Sequence, residues 1–422
     1  MVNSSASSPD AAAQNEELIA RWHRTGDLNV LWPDIPVADR HAAQADIRRV
    51  AEAVMRGSVR APTLVGDEPA RVRALGVAGF TSGMGALLGW WLQAGTVDAA
   101  DAVRKLLLGH LEHGVRRRKT LDAALLDIVR EMRQRGVDPI VLKGTHTGAV
   151  HFPALGTRPA ADIDLLIRPE QRALAAIALQ KAGFDETRSS DYAARSEWRP
   201  SGQVPVVHSV EMDHADNPWA IDLHTSLDRW YFRGLRRGFG DEAFEHTAQV
   251  SVAGSLVRGL AEPHLSAFLA LHASHDLVKM QLVRLIELTL VIRAQKPEFD
   301  WDRFAALIAR TRTVRFTYPA LALVEVLAPG TVSPKVLELG ERSATARTRR
   351  VIAAVTAQDM GVLTFRTLDN KLMWARGPRE WLLNVSELLL PSDDGASITL
   401  PRQYWRGLRT FVQGQRRRSS SR

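Results

Sequence analysis

The stretch Asp162-Ile-Asp-Leu-Leu-Ile167 decides the reading of this chain. It is short, mostly apolar and bounded by Arg-Pro, so it reads as a buried strand. Side chains alternate along a strand, so Asp162 and Asp164 leave the same face. Carboxylates so placed repel one another. A hard divalent cation with oxygen ligands, Mg2+ or Mn2+, is the usual reason for the arrangement. The pattern alone is weak, because one Asp capping a turn and another in solvent give the same letters.

Working outward, the run Asp138-Pro-Ile-Val-Leu-Lys143 reads as a second buried strand, ending at Gly144. A short helix is expected from Thr145 to His151. Glycine at such a strand-to-helix turn lets backbone N–H groups approach a phosphate, and a helix N-terminus favours an anion. Lys143, Gly144 and Thr145 are therefore candidate nucleotide-binding residues, with Arg158 as a bidentate phosphate partner. Downstream, Pro169 opens a helix that runs to Ala182 before Gly183. Val204–Met212 and Trp219–Leu223 are further strand candidates, and Asp222 on the latter is a third carboxylate. Three carboxylates beside a phosphate cradle fit a two-metal phosphoryl-transfer site. Asp162, Asp164 and Asp222 are thus the candidate catalytic and metal-binding residues. His224 shares the face of Asp222. His272 and His275 are neighbours on a helical pattern. All three are candidates for contacting or orienting substrate.

The order strand, Lys143-Gly-Thr, helix, Arg158-Pro, Asp162-Ile-Asp-Leu-Leu, helix, Gly183-Phe, Ile-Asp222-Leu-His224 resembles the uncharacterised nucleotidyltransferase family. That family lies within the DNA polymerase β-like nucleotidyltransferase superfamily. The resemblance covers residues 138–230 and extends more weakly to His272, His275, Arg284 and Glu287. It implies that Asp162 and Asp164 bind nucleotide-associated metals. It implies that Asp222 binds the catalytic metal and helps deprotonate an acceptor hydroxyl, and that Gly144 and Thr145 hold the terminal phosphates of an NTP. Gly-Thr stands where the superfamily has Gly-Ser, which keeps the hydroxyl. Glu287 stands where an Asp is expected. The implied activity is ATP- or other NTP-dependent, magnesium-requiring, pyrophosphate-releasing transfer to a small molecule or to a peptide or protein. The competing reading is a catalytically inactive nucleotidyltransferase fold kept for binding nucleotide or a partner. Retention of all three carboxylates argues against it.

The flanks are helical. Apolar residues recur at three- and four-residue steps from Leu18 to Met132 and again from Leu265 onward. The expected fold is α+β: a small mixed-sheet nucleotidyltransferase core between N- and C-terminal helical regions. The division is 1–15 disordered, 16–135 helical, 136–260 core, 261–415 helical and 416–422 a disordered basic tail. The 422 residues lack cysteine, which excludes disulfides and cysteine metal sites and fits a reducing cytoplasm. Of the +8 net charge, seven units are the Arg residues of 402–422, where no acid occurs. The rest of the chain is close to neutral, which argues against nucleic acid as a partner. Residues 1–15 have no basic segment and no apolar one, so no signal peptide is expected. Residues 74–97 are uncharged and long enough to span a bilayer. Six glycines interrupt them, and a buried helix pair is expected instead.

Overall fold

The computed structural model describes residues 9–25, 27–58, 61–190, 194–232, 234–275, 277, 281–361 and 372–389. Five helices precede the first strand: α1 (Pro9–Thr25), α2 (Val37–Met55), α3 (Pro69–Ser82), α4 (Gly85–Gln93) and α5 (Asp101–Arg133). Helix α5 buries Leu107, Leu111, Gly114, Arg118, Leu121 and Leu125, a stripe stepping by three or four residues along one face. Helices α3 and α4 meet at 112°. The bend is made at Gly83, whose φ of +71° is costly for any residue with a β-carbon. A β-carbon on Gly89 would strike the Leu107 carbonyl, and one on Gly85 the His110 ring. The glycines of the uncharged segment thus let α4 close onto α5. Among the described residues no single helix is long and apolar enough to cross a membrane, although α3 and α4 pass that test as a bent pair.

Helix α1 begins at Pro9, so residues 9–15, expected to be unstructured, are helical. Proline suits a first helical turn, and Ala11, Ala12 and Ala13 are strong helix formers. Asn15 Nδ2 also donates to the Val207 carbonyl at 3.0 Å. Residues 1–8 and the basic tail lie outside the described residues.

The middle of the chain runs β1 (Ile140–Val141), α6 (Lys143–Val150), β2 (Asp162–Leu166), α7 (Arg172–Lys181), β3 (Phe184–Ser190), β4 (Arg195–Pro200), β5 (Ala220–His224), β6 (Arg229–Phe232), β7 (Leu235–Arg237), α8 (Glu242–Glu245), β8 (Thr247–Val252) and β9 (Ser255–Leu260). Seven strands form a mixed sheet in the order β3-β4-β5-β2-β1-β9-β8, and β6 with β7 forms a separate pair. β2 and β5 are parallel, as are β1 and β9. Helices α5 and α7 cover one face, where Leu125, Ile128, Ile163, Leu165, Leu179 and Ile221 are buried together. The fold is mixed α+β, as the sequence implied.

Val204–Met212, expected as a strand, is an irregular loop. Pro205 lacks an N–H for a ladder. The Asn217 side chain serves the loop's backbone instead: Oδ1 accepts from His208 N at 2.8 Å and Ser209 N at 3.1 Å, and Nδ2 donates to Ser209 O at 2.9 Å.

The C-terminal region is α9 (His264–His275), α10 (Leu282–Ala294), α11 (Trp301–Arg310), α12 (Val314–Leu327), α13 (Pro334–Ser343), α14 (Ala346–Ala353) and α15 (Gly377–Leu389). Its buried face joins that of α2–α4 in one apolar core through Ile47, Leu88, Phe268, Ile286, Phe316 and Met360.

Candidate active site

The parallel register of β2 and β5 sets Asp162 beside Ala220, Asp164 beside Asp222 and Leu166 beside His224. Asp164 and Asp222 therefore share a face of the sheet, with His224 two residues further along. Both carboxylates are buried, at 2% and 3% exposure, and His224 is at 6%. Lys143 Nζ lies 2.9 Å from Asp164 Oδ1, and His224 Nε2 lies 3.1 Å from the same oxygen. Arg195, opposite His224 on β4, reaches Asp222 Oδ1 at 2.7 Å. That approach lacks hydrogen-bond alignment and leaves Oδ1 without a hydrogen-bond partner.

These surroundings set the charges. Burial pushes Asp164 up, but Lys143 and the bond from His224 outweigh it and hold the carboxyl below the usual carboxylate range. Asp222 is raised to about 7 by burial and by the nearby charges of Asp164 and Asp162. Asp162 is raised too, by burial and then by Asp164. His224 is lowered to about 4, chiefly by burial. At neutral pH it is an uncharged imidazole whose Nε2–H donates to Asp164. Asp164, Asp222 and His224 each offer a ligand atom, all within 4.8 Å of one another. Asp162 stands one strand step before this group. The Asp222 oxygen left without a hydrogen bond and the mutual repulsion of these carboxylates suit a hard cation. His224 Nε2 is already engaged with Asp164, so the carboxylates are the natural ligands and His224 orients one of them.

Lys143, Gly144 and Thr145 form the first turn of α6, where backbone N–H groups lack intrahelical partners. Sequence reasoning missed what holds this turn. Arg118 of α5 donates to Gly144 O at 3.1 Å and Thr145 O at 2.9 Å, and pairs with Asp122 at 2.6 Å. Its neighbour Arg117 donates to the carbonyls of Ala160 (2.6 Å), Asn217 (2.6 Å) and Pro218 (3.0 Å). Two consecutive buried arginines thus fix the first turn of α6 and the segments that lead into β2 and β5. The signal was present: Arg118 falls on the apolar stripe between Gly114 and Leu121, where a solvated arginine has no place.

Arg158 pairs with Glu287 of α10, with Nε–Oε1 at 3.3 Å and Nη2–Oε2 at 3.0 Å. Thr147 also bonds to Glu287. Glu287 is therefore the counter-ion that positions Arg158. His272 Nδ1 meets Arg229 at 3.2 Å, whereas His275 Nε2 bonds to the Trp230 carbonyl at 2.9 Å. The two histidines point to different surroundings. His146 is buried under Gly259, where a β-carbon would strike its ring.

A cavity of about 720 Å³ opens over this arrangement. Lys143, Gly144, Arg158, Asp162, Asp164 and His272 line it. Thr145, Asp222, His224 and His275 do not. The wall away from the sheet comes from the N-terminal helices and the 204–218 loop.

The family model described as "Uncharacterised nucleotidyltransferase" matches residues 85–329, from α4 to just beyond α12. The chain belongs to this uncharacterised nucleotidyltransferase family. Membership thus covers the sheet, the α5 clamp and the Glu287 helix, and leaves α1–α3 and the last helices outside the match. The solution structure of the antibiotic-resistance factor ANT(2'')-Ia aligns with 47% of this chain and 96% of its own, at 15% identity and a TM-score of 0.33. A likeness at that score carries no weight for the nucleotidyltransferase's substrate. No curated protein matches the chain.

Proposed function

We propose that the chain transfers a nucleoside monophosphate from an NTP to a hydroxyl on a small molecule or on a peptide or protein side chain, with Mg2+ or Mn2+ bound by Asp162, Asp164 and Asp222. The observation that carries this reading is the pairing of Asp164 with Asp222 across parallel strands, two residues from His224 and within reach of Lys143. The bound cations would neutralise charge developing on the α-phosphate. Lys143 and Arg158 stand where they offset the charge of the remaining phosphates, and the α6 turn presents its N–H groups to them. The acceptor oxygen attacks the α-phosphorus, and the bond from phosphorus to the oxygen bridging to the β-phosphate breaks. Pyrophosphate leaves with that oxygen. The hydroxyl proton passes to Asp222, the carboxylate that stands beside Asp164 on the neighbouring strand. His224 keeps Asp164 in the orientation this requires, and Arg118 keeps the phosphate turn in place.

The test uses NTP labelled at its α-phosphate, incubated with Mg2+, the protein and a small-molecule or peptide extract. The reading expects a labelled adduct that disappears with Asp222→Ala, and no adduct from γ-labelled NTP. Transfer of the γ-label, or an adduct that survives Asp222→Ala, contradicts it.

A further inference from the structure

The face of the sheet that carries the aspartates continues onto β4. In register, Asp164 of β2 stands beside Asp222 of β5, and Asp222 beside Glu197 of β4. Arg195 and Arg199 lie two residues to either side of Glu197, so all three share this face. Ser196 and Trp198 between them are buried. Arg199 Nε donates to Glu197 Oε1 at 2.9 Å. The terminal amino groups of Arg199 make no hydrogen bond among the described residues. Arg195 Nη2 lies 2.7 Å from Asp222 Oδ1 and 4.0 Å from Glu197 Oε2, and neither approach is a hydrogen bond. The two side chains remain 41% and 38% exposed, within reach of a ligand. Arg199 lines the cavity over Asp162 and Asp164. It also lines a second cavity of about 470 Å³, bounded by Gln203, His208 and Trp219.

The strand order β4-β5-β2-β1 divides the site. Lys143 and the first turn of α6 follow β1, on the far side of β2 from β4. A triphosphate held there leaves the β5 and β4 side to the acceptor. Resting on the nucleotidyltransferase reading, we propose that the acceptor carries an anionic group, a carboxylate or a phosphate, besides its hydroxyl, and that Arg199 binds this group. The hydroxyl then points to Asp222, and Arg195 flanks it on the other side. A guanidinium pairs with either anion through two parallel hydrogen bonds. The charges of the face agree. Divalent cations would offset Asp162, Asp164 and Asp222. Arg195, Glu197 and Arg199 together leave one positive charge in excess. The next strand sets Arg188 beside Glu197 and Asp185 beside Arg199, and these two cancel. A polycationic acceptor would meet like charge at both arginines. Two residues along a strand span about 7 Å, which sets the scale between hydroxyl and anion. The second cavity has room for the rest of the compound.

Three probes on one carbon skeleton test the proposal: glycerol 3-phosphate, glycerate and glycerol carry a phosphate, a carboxylate and no charge. Each is titrated calorimetrically into the wild type, Arg199→Gln and Glu197→Gln. Mg2+ and an NTP analogue with methylene between its α- and β-phosphates are present, which keeps the triphosphate position filled. Wild type should bind at least one anion about tenfold or more tighter than glycerol, as expected for hydrogen bonds to a charged group. The tighter of the two names the group. Arg199→Gln should bring that ratio to about one and leave the affinity for the analogue unchanged. Glu197→Gln removes the carboxylate that competes for both arginines. It should tighten the anionic probes severalfold without affecting glycerol, a gain that misfolding cannot imitate. A wild-type ratio near one, a ratio kept by Arg199→Gln, or anion affinity that Glu197→Gln fails to raise overturns the proposal. So does loss of analogue affinity in Arg199→Gln, which would assign Arg199 to the triphosphate. Failure of the underlying reading shows elsewhere, as analogue affinity that Asp164→Ala leaves unchanged.

Discussion

Among the described residues, two groups of three side chains lie close enough to share a cation: Asp164, Asp222 and His224 on the sheet, and Glu242, His246 and His264 around α8 and the start of α9. Their surroundings differ. The first borders a cavity through Asp164 and is paired with Lys143 and Arg195. The second has Glu242 held by Arg310 through contacts of 3.0 and 2.9 Å. Its imidazoles stack at 4.2 Å between centroids and 13° between planes. Ring-nitrogen lone pairs lie in the ring plane, so two nearly parallel rings cannot both aim at one ion without rotating. Proximity of ligand atoms is common. A bordering cavity, two buried carboxylates on adjacent strands and a carboxylate oxygen without a hydrogen bond together single out the sheet cluster.

The comparison can be broken by mutation. Asp164→Ala should lower nucleotidyl transfer by about a thousandfold, because it removes a ligand and the partner of Lys143 and His224. A steady-state assay showing less than a tenfold loss would put the site elsewhere. Next comes the clamp that belongs to the sheet cluster alone. Arg118→Met should cost about 3–5 kcal/mol in urea unfolding, since it strands Asp122 and two carbonyls in the interior. A change below about 1 kcal/mol would show that Arg118 is dispensable.

Asp222→Asn sharpens the electrostatic side. The Asp222 carboxyl is raised from the ordinary carboxylate value near 4 to about 7 in the folded protein. Its ionisation therefore opposes folding: the cost is absent below about pH 4, grows as pH rises towards 7 and is constant above. Without metal, Asp222→Asn should be more stable than wild type by roughly 4 kcal/mol near pH 8, and nearly equal to it near pH 4. Added Mg2+ should stabilise wild type and not the variant. A metal-free variant no more stable than wild type near pH 8 would contradict the repulsion described here. The smallest effect is expected at the second cluster, where His264→Ala should leave transfer within about twofold of wild type. A large loss in that assay would erase the distinction between the clusters.

Much of the site was legible because its chemistry is local. Two carboxylates on one strand, a glycine after a short apolar strand and an Ile-Asp-Leu-His strand are patterns within a few residues. The fold around them was less so. β3 and β4, Phe184–Ser190 and Arg195–Pro200, are rich in charge and serine, and their largely solvated faces leave no apolar alternation to read. The β8–β9 hairpin did carry a signal, alternating valines around a two-residue Ala253-Gly254 turn with both φ positive. The 204–212 loop misled for a physical reason: Val207 and Val210 line the cavity, and β-branched residues that line a pocket look like those that fill a sheet. Arg158 pairing with Glu287, 129 residues away, could not be read from either segment alone.

The central claim is that the sheet cluster binds nucleotide through a metal. Calorimetric titration of each NTP with Mg2+ into wild type and Asp164→Ala tests it most directly. The account predicts saturable, Mg2+-dependent binding of at least one NTP to wild type and its loss in the variant. Equal affinity in the two proteins, or binding that ignores Mg2+, would contradict it.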